Sequence, residues 1–161
     1  MLTLRRADAG DSDLLWSWRN DPVTRAASSS PAPVPGEVHH RWFAAAVDDP
    51  ERAILIGLDS AGDRVGMVRF DFDEPLAATV SINVAPESRG HGVGHALLHA
   101  ALVWLGDHST GKTVTAVVRS DNKASSRIFE HEGFTPTSQD GEFVTMVRPL
   151  GRTDPRRGSP S

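Results

Sequence analysis

The chain has 161 residues, 39% of them apolar and 24% charged, enough for one compact domain with one core. Its 17 Lys and Arg against 21 Asp and Glu give a formal net charge of −4, which argues against nucleic acid or an anionic membrane as partner. The absence of cysteine excludes disulfide scaffolds, thiolate metal sites and cysteine nucleophiles, and the absence of tyrosine removes the phenol as a general acid.

Leu2 and Leu4 alternate with polar neighbours and predict a strand. The run Ala9-Gly-Asp-Ser-Asp13 then offers an N-cap to a helix with Leu14, Leu15 and Trp18 on one face. Between Ala26 and Gly36 three prolines and three serines predict a mobile loop without regular structure. Val38, Trp42 and Ala46 recur every four residues and predict a second helix, so the loop has the makings of a lid between two helices.

Ala53–Leu58, Val65–Phe72 and Thr79–Val84 are β-rich runs separated by turn residues, which predicts an antiparallel meander. In the third run Val80, Ile82 and Val84 share one face, and Thr79, Ser81 and Asn83 the other. Gly90-His-Gly-Val-Gly94 opens a helix whose apolar positions are Val93, Ala96, Leu97, Ala100, Ala101 and Trp104. Thr113–Val118 predicts a strand, and Asn122–His131 a helix capped by Asp121 or Ser120 and stopped by Gly133. Strands at Phe134 and at Phe143–Val147 close the domain, expected over residues 1–150, with a disordered tail over 151–161. No stretch reaches the ~20 apolar residues that cross a bilayer, and the start lacks the features of a secretory signal. A cytoplasmic location is expected.

The segment Val84–Leu98 carries the strongest chemical signal. Glycines at 90, 92 and 94 free the backbone to turn successive N–H groups toward one point at the start of a helix, and Arg89 adds positive charge. That combination suits a diphosphate. A dinucleotide fingerprint would need glycine at position 95, which is histidine. Gly106-Asp-His-Ser-Thr-Gly-Lys-Thr113 spells a nucleotide phosphate loop, but a helix precedes it and a strand follows, the reverse of the working order. His91, His95 and His99 are spaced to share a helix face, but a metal site needs converging ligands, usually with a carboxylate, and these alternate with core positions beside the glycine segment; no metal is expected, and His91 is read as a phosphate contact.

Arg89-Gly-His-Gly-Val-Gly94 resembles the R/Q-x-x-G-x-G/A signature of the GNAT superfamily of N-acetyltransferases. Asn122-Lys-Ala-Ser-Ser-Arg-Ile-Phe-Glu-His-Glu-Gly-Phe134 resembles that family's N-x-x-S-x-x-x-[YF]-x-x-x-G-F segment, and the element order agrees over about residues 2 to 150. The resemblance implies an α/β fold with a mixed, mostly antiparallel sheet flanked by helices, its fourth and fifth strands splayed to admit acyl-CoA. It implies acetyl-CoA as co-substrate, with the diphosphate on Arg89, Gly90, His91, Gly92, Val93, Gly94 and His95. The pantetheine arm would lie along Ile82, Asn83 and Val84, with Asn122 and Ser125 near the thioester. Many relatives carry tyrosine at the position of Phe129 to protonate the leaving thiolate; here the thiolate leaves unaided, or Asn122, Ser125, Ser126 or a water serves.

Direct transfer from a thioester to an amine needs no enzyme nucleophile, because proximity supplies most of the gain. It does need the amine deprotonated: His39 and His40 are candidate bases, and the carboxylates Asp71, Asp73 and Glu74 could supply a base, hold an ammonium substrate or simply form a solvated turn. Trp18-Arg-Asn-Asp-Pro22 and His39-His-Arg-Trp-Phe43 resemble the N-terminal regions of acetyltransferases acting on nucleotide-linked amino sugars and of those acting on ribosomal-protein N-termini. Trp16, Trp18 and Trp42 could stack on a sugar or base, or pack in the core; Arg19 or Arg25 could meet a phosphate. The leading expectation is a monomeric or homodimeric N-acetyltransferase of a small primary amine, such as a nucleotide-linked amino sugar. A protein N-terminal acetyltransferase and a non-catalytic acyl-CoA sensor are the alternatives.

Overall fold

Seven strands form one sheet in the computed structural model, which describes residues 1–109 and 111–150. The expected tail from Gly151 and the Asp73 side chain lie outside what is described. The strands are β1 (Thr3–Arg6), β2 (Arg52–Leu58), β3 (Arg64–Glu74), β4 (Ala77–Val84), β5 (Thr113–Arg119), β6 (Thr135–Asp140) and β7 (Phe143–Pro149). They lie in the order β1-β2-β3-β4-β5-β7-β6, and every neighbouring pair is antiparallel except β4 and β5. The helices are α1 (Ser12–Arg19), α2 (Pro22–Ala27), α3 (Gly36–Val47), α4 (Val93–His108) and α5 (Lys123–His131).

Side-chain alternation divides the interior into two layers. Leu55, Val68, Phe70, Val80 and Val114 pack under Leu97, Leu98, Ala101 and Leu105 of α4 and Phe129 of α5. Each of those leucines, removed from water, contributes about 2 kcal/mol. Ile54, Ile56 and Ala85 pack on the opposite face with Leu15 and Trp18 of α1 and Phe43 and Ala46 of α3. A strand such as β2 is therefore apolar on both faces, which explains its unbroken run Ala53–Ile56.

Several expectations need correction. An unexpected helix, α2, precedes the presumed loop and takes in its first two residues, Ala26 and Ala27; its Asp21 N-cap accepts from the Val23 and Thr24 amides, with Pro22 at the first helical position. The rest of the segment is tied down rather than free. Trp16 Nε1 donates to Val34 O (2.7 Å), Asn20 pairs with both backbone groups of Val34 (2.9 and 2.8 Å), and Arg19 donates to Ser30 O (2.8 Å). The buried stripe of α4 runs through Gly94, Leu97, Leu98, Ala101, Leu102 and Leu105, leaving Ala96 exposed, because the helix rests on both the sheet and α5. Asn122, not Asp121 or Ser120, caps α5. Strand β6 carries the polar run Thr135–Asp140, exposed along its whole length, and pairs only with β7. Gly133 ends α5 with φ +90°, as its position predicts.

Candidate active site

The parallel pair β4 and β5 is joined for a short distance. Ala77, Ala78 and Thr79 face Thr113, Val114 and Thr115, after which β4 continues along β3 to Val84 while β5 continues along β7 to Arg119. The two strands part beyond Thr79, which leaves a wedge whose β4 wall is Val80–Val84. Backbone groups there have no β5 partner, so an extended arm can take the place of a strand.

At the end of β4, a short 3-10 turn (Pro86–Ser88) leads into the glycine segment and α4. Gly90 and Gly92 have φ +79° and +76°, and a Cβ built on either meets nothing within 4 Å, so backbone conformation rather than crowding demands glycine at both. Gly92 is the N-cap of α4, and no side chain caps the helix. The amides of Val93, Gly94 and His95 are thus left for an outside acceptor at the positive end of a 16-residue dipole. Gly94 serves differently: a Cβ there would sit 2.9 Å from Ile128 Cδ1 and 3.4 Å from Val84 Cγ2, so its absence lets α4 settle against α5 and β4. This backbone cradle beside an unpaired strand wall fits the diphosphate and pantetheine of a coenzyme A thioester.

Arg89 turns toward the other face of the sheet. Its Nη2 donates to Asp21 Oδ2 (2.7 Å) and Thr24 Oγ1 (2.9 Å), and Thr24 Oγ1 lies 3.4 Å from Asn83 Oδ1. The guanidinium holds the Asp21 carboxyl below its ordinary range. Arg89 therefore latches α2 onto the end of β4. Asp21 and Thr24 escaped the sequence reading, although the Asp-Pro pair that starts α2 was a visible signal. His91, exposed, places Nδ1 3.4 Å from Ser88 O.

Near the wedge's β5 wall, Asn122 Oδ1 accepts from the Ser125 amide (3.1 Å), and both residues remain partly exposed. Phe129, 4% exposed, packs edge-on against Phe134 at 5.1 Å between centroids.

The α1–α3 face is rich in buried polar groups. His39, in the first turn of α3, is 6% exposed and stacks on Phe43. Burial first, then His40 and Arg19, pushes its pKa down, so the ring is neutral at neutral pH and able to take a proton. Its Nδ1, Arg19 Nη1 and Arg25 Nε are buried without a hydrogen-bond partner. His40 is instead committed, to Ser12 (2.6 Å) and Asp13 (3.1 Å). Asp71 is 8% exposed and held by Arg69 Nε (2.9 Å) and Arg52 Nε (3.2 Å), both guanidinium groups lying over the Trp42 ring. Trp18, 2% exposed, is a core residue and not a stacking surface. In the phosphate-loop lookalike, α4 runs through Gly106 to His108 and β5 starts at Thr113, confirming the reversed order. No helix among the described residues is long and apolar enough to cross a membrane.

The profile of the acetyltransferase (GNAT) domain family matches residues 1–135. No curated protein sequence matches the chain. Among solved structures, spermidine N-acetyltransferase from Vibrio cholerae, in complex with CoA and spermine, is similar with a TM-score of 0.84 and 18% identity, over 92% of this chain and 95% of that one. A phosphinothricin acetyltransferase from Sinorhizobium meliloti, in complex with AcCoA, is similar with a TM-score of 0.78 and 22% identity, over 93% and 89%. These are not the amino-sugar or ribosomal-protein types toward which the N-terminal segments pointed, and at such identity they speak for the shared fold. The family is decided by the profile, which covers most of the sequence: the chain belongs to the GNAT acetyltransferases.

Proposed function

We propose that the protein transfers an acetyl group from acetyl-CoA to the primary amine of a small, anionic acceptor by direct attack, in the cytoplasm. The observation that carries this reading is the parting of β4 from β5 beside the uncapped start of α4. When bound, acetyl-CoA supplies the thioester carbonyl that an amine attacks. Val93, Gly94 and His95 offer their amides to its diphosphate, and Ile82–Val84 offer backbone groups to its arm. Neutral His39 receives the amine's proton. Asn122 and Ser125 stand where the thiolate departs, without a tyrosine to protonate it. Asp71 holds the Arg69 and Arg52 guanidinium groups over the Trp42 ring.

The anionic character of the acceptor rests on Arg19 and Arg25, each with a buried N–H that lacks a partner, Arg19 standing near enough to His39 to act on its charge. A buried donor without an acceptor is costly, and a carboxylate or phosphate is the acceptor an arginine binds best. A nucleotide-linked amino sugar, with its diphosphate, fits this chemistry. A polycation such as spermidine would meet like charge. Release of free CoA thiol, measured over anionic amines, polyamines and peptides, tests the proposal. Turnover is expected with anionic small amines; preference for polyamines or peptides would overturn the acceptor class, and donor binding without turnover would identify a sensor.

A further inference from the structure

Three histidines and a carboxylate converge where α4 passes the end of α5. His95 and His99, one turn apart on α4, both reach Glu132, which follows α5: His95 Nε2 lies 2.9 Å and His99 Nδ1 3.2 Å from Glu132 Oε1. The His131 ring stands edge-on to His95 at 4.2 Å between centroids. One ligand atom from each of His95, His131 and Glu132 lies within 4.8 Å of the other two. The Glu132 side chain is 11% exposed, while His95 and His99 are open at 41% and 67%. Acetyl transfer uses none of these side chains; His95 lends that chemistry only its backbone amide. Nor does the contact between α4 and α5 require them, since Gly94 against Ile128 already brings the helices together.

We propose that His95, His131 and Glu132 bind a transition-metal dication of the zinc class, with His99 holding the carboxylate from outside. Zinc bonds to imidazole nitrogen and carboxylate oxygen of about 2.0–2.2 Å place neighbouring ligand atoms of a tetrahedral site ~3.3 Å apart. The separation of 2.9 Å between His95 and Glu132 is already on that scale. Mixed imidazole and carboxylate donors suit zinc and its neighbours over magnesium or calcium, which favour all-oxygen shells. Outer hydrogen bonds of the kind His99 makes orient a ligating carboxylate. The ion would clamp the end of α5 to the first turn of α4, directly behind the glycine segment, so its effect falls on stability. The carboxylate missing from the local sequence comes from 37 residues beyond His95.

The site is tested on the full chain, without an affinity tag and stripped of metal by chelation, titrated calorimetrically with Zn2+ and separately with Mg2+. Zn2+ is expected to bind at one equivalent in the micromolar range or tighter and to raise Tm, with Mg2+ silent. Glu132→Gln and His131→Asn should each weaken Zn2+ at least about tenfold. Both should keep the parent's circular dichroism and coenzyme A binding, and His108→Gln should bind as the parent does. No Zn2+ binding in the micromolar range, or binding that survives Glu132→Gln and His131→Asn, overturns the site. Because the readout is metal binding, that failure leaves the acetyl-transfer reading standing, and failure of acetyl transfer leaves the metal site standing.

Discussion

On one face of the sheet, α4 and α5 cover Leu55, Val68, Phe70 and Val80 with an apolar core; on the other, α1 and α3 cover Ile54 and Ile56 and bury Asp11, His39 and Asp71. What the first face leaves open is backbone: the amides at the start of α4, which no side chain caps, and the edge of β4 beyond Thr79. What the second leaves without a partner are side chains drawn from three helices, Arg19, Arg25 and His39, each with a buried polar atom. Backbone recognition constrains a short contiguous motif. Side-chain recognition leaves the same fold free to accept different amines, because exchanging Arg19 or Arg25 disturbs no strand.

The largest break in that contrast is expected from His39→Asn. Loss of a general base lowers kcat about a hundredfold or more while leaving donor affinity intact. The pH profile sharpens it. With its pKa pushed below 6.5, His39 stays neutral and active under mildly acidic conditions, and the rate falls only as the pH drops through that lowered value. His39→Asn should remove this acid limb; a limb that persists assigns the base elsewhere.

Asp11→Asn tests whether buried charge on the second face is structural. Asp11 is 1% exposed, takes two hydrogen bonds of 2.8 Å from Arg5 and one of 3.0 Å from Arg64, and so has its pKa lowered from 3.8 to about 2. The depressed pKa is worth about 2 kcal/mol of stability, present above the unfolded value and lost as the pH falls through the folded one. Chemical denaturation should show a loss of about 3 kcal/mol at neutral pH in the variant, which leaves two guanidinium groups without their anion. The parent's decline in stability between pH 3.8 and about 2 should be correspondingly smaller in the variant.

Gly92→Ala probes the first face. With φ +76° and empty space around a Cβ, its cost is purely conformational, about 1 kcal/mol, and should appear as roughly fivefold weaker coenzyme A binding with acceptor KM unchanged. Equal effects on donor and acceptor would contradict the division between the faces.

The legibility of the sequence follows the same division. Strands β2 to β5, the glycine segment and α5 were readable because apolar period, turn residues and caps are local. Helix α2 was obscured by the serines and prolines after it, although Asp21 and Pro22 mark its start. The pinning of the segment 28–35 by Trp16, Arg19 and Asn20 is a tertiary effect that composition does not carry. Strand β6 has no apolar alternation because neither of its faces is buried. Glu132 joining His95 and His99, and Arg52 joining Asp71, depend on register and helix packing that only the fold supplies.

Arg89 is the residue where the two faces meet, and the smallest predicted effect decides what it does. Were it a diphosphate ligand restrained by Asp21, Asp21→Ala would free the guanidinium and tighten coenzyme A binding. The geometry instead makes Arg89 a latch, bonded at 2.7 and 2.9 Å to the N-cap and third residue of α2, with Thr24 leaning on Asn83. As a partly exposed pair, its loss should cost about 1 kcal/mol or less. Asp21→Ala and Arg89→Ala should then weaken donor and acceptor alike, each severalfold. The double variant should be no worse than either single change, because all three remove the same contact. Tighter donor binding in Asp21→Ala would return Arg89 to the diphosphate and leave α2 held by Thr24 alone.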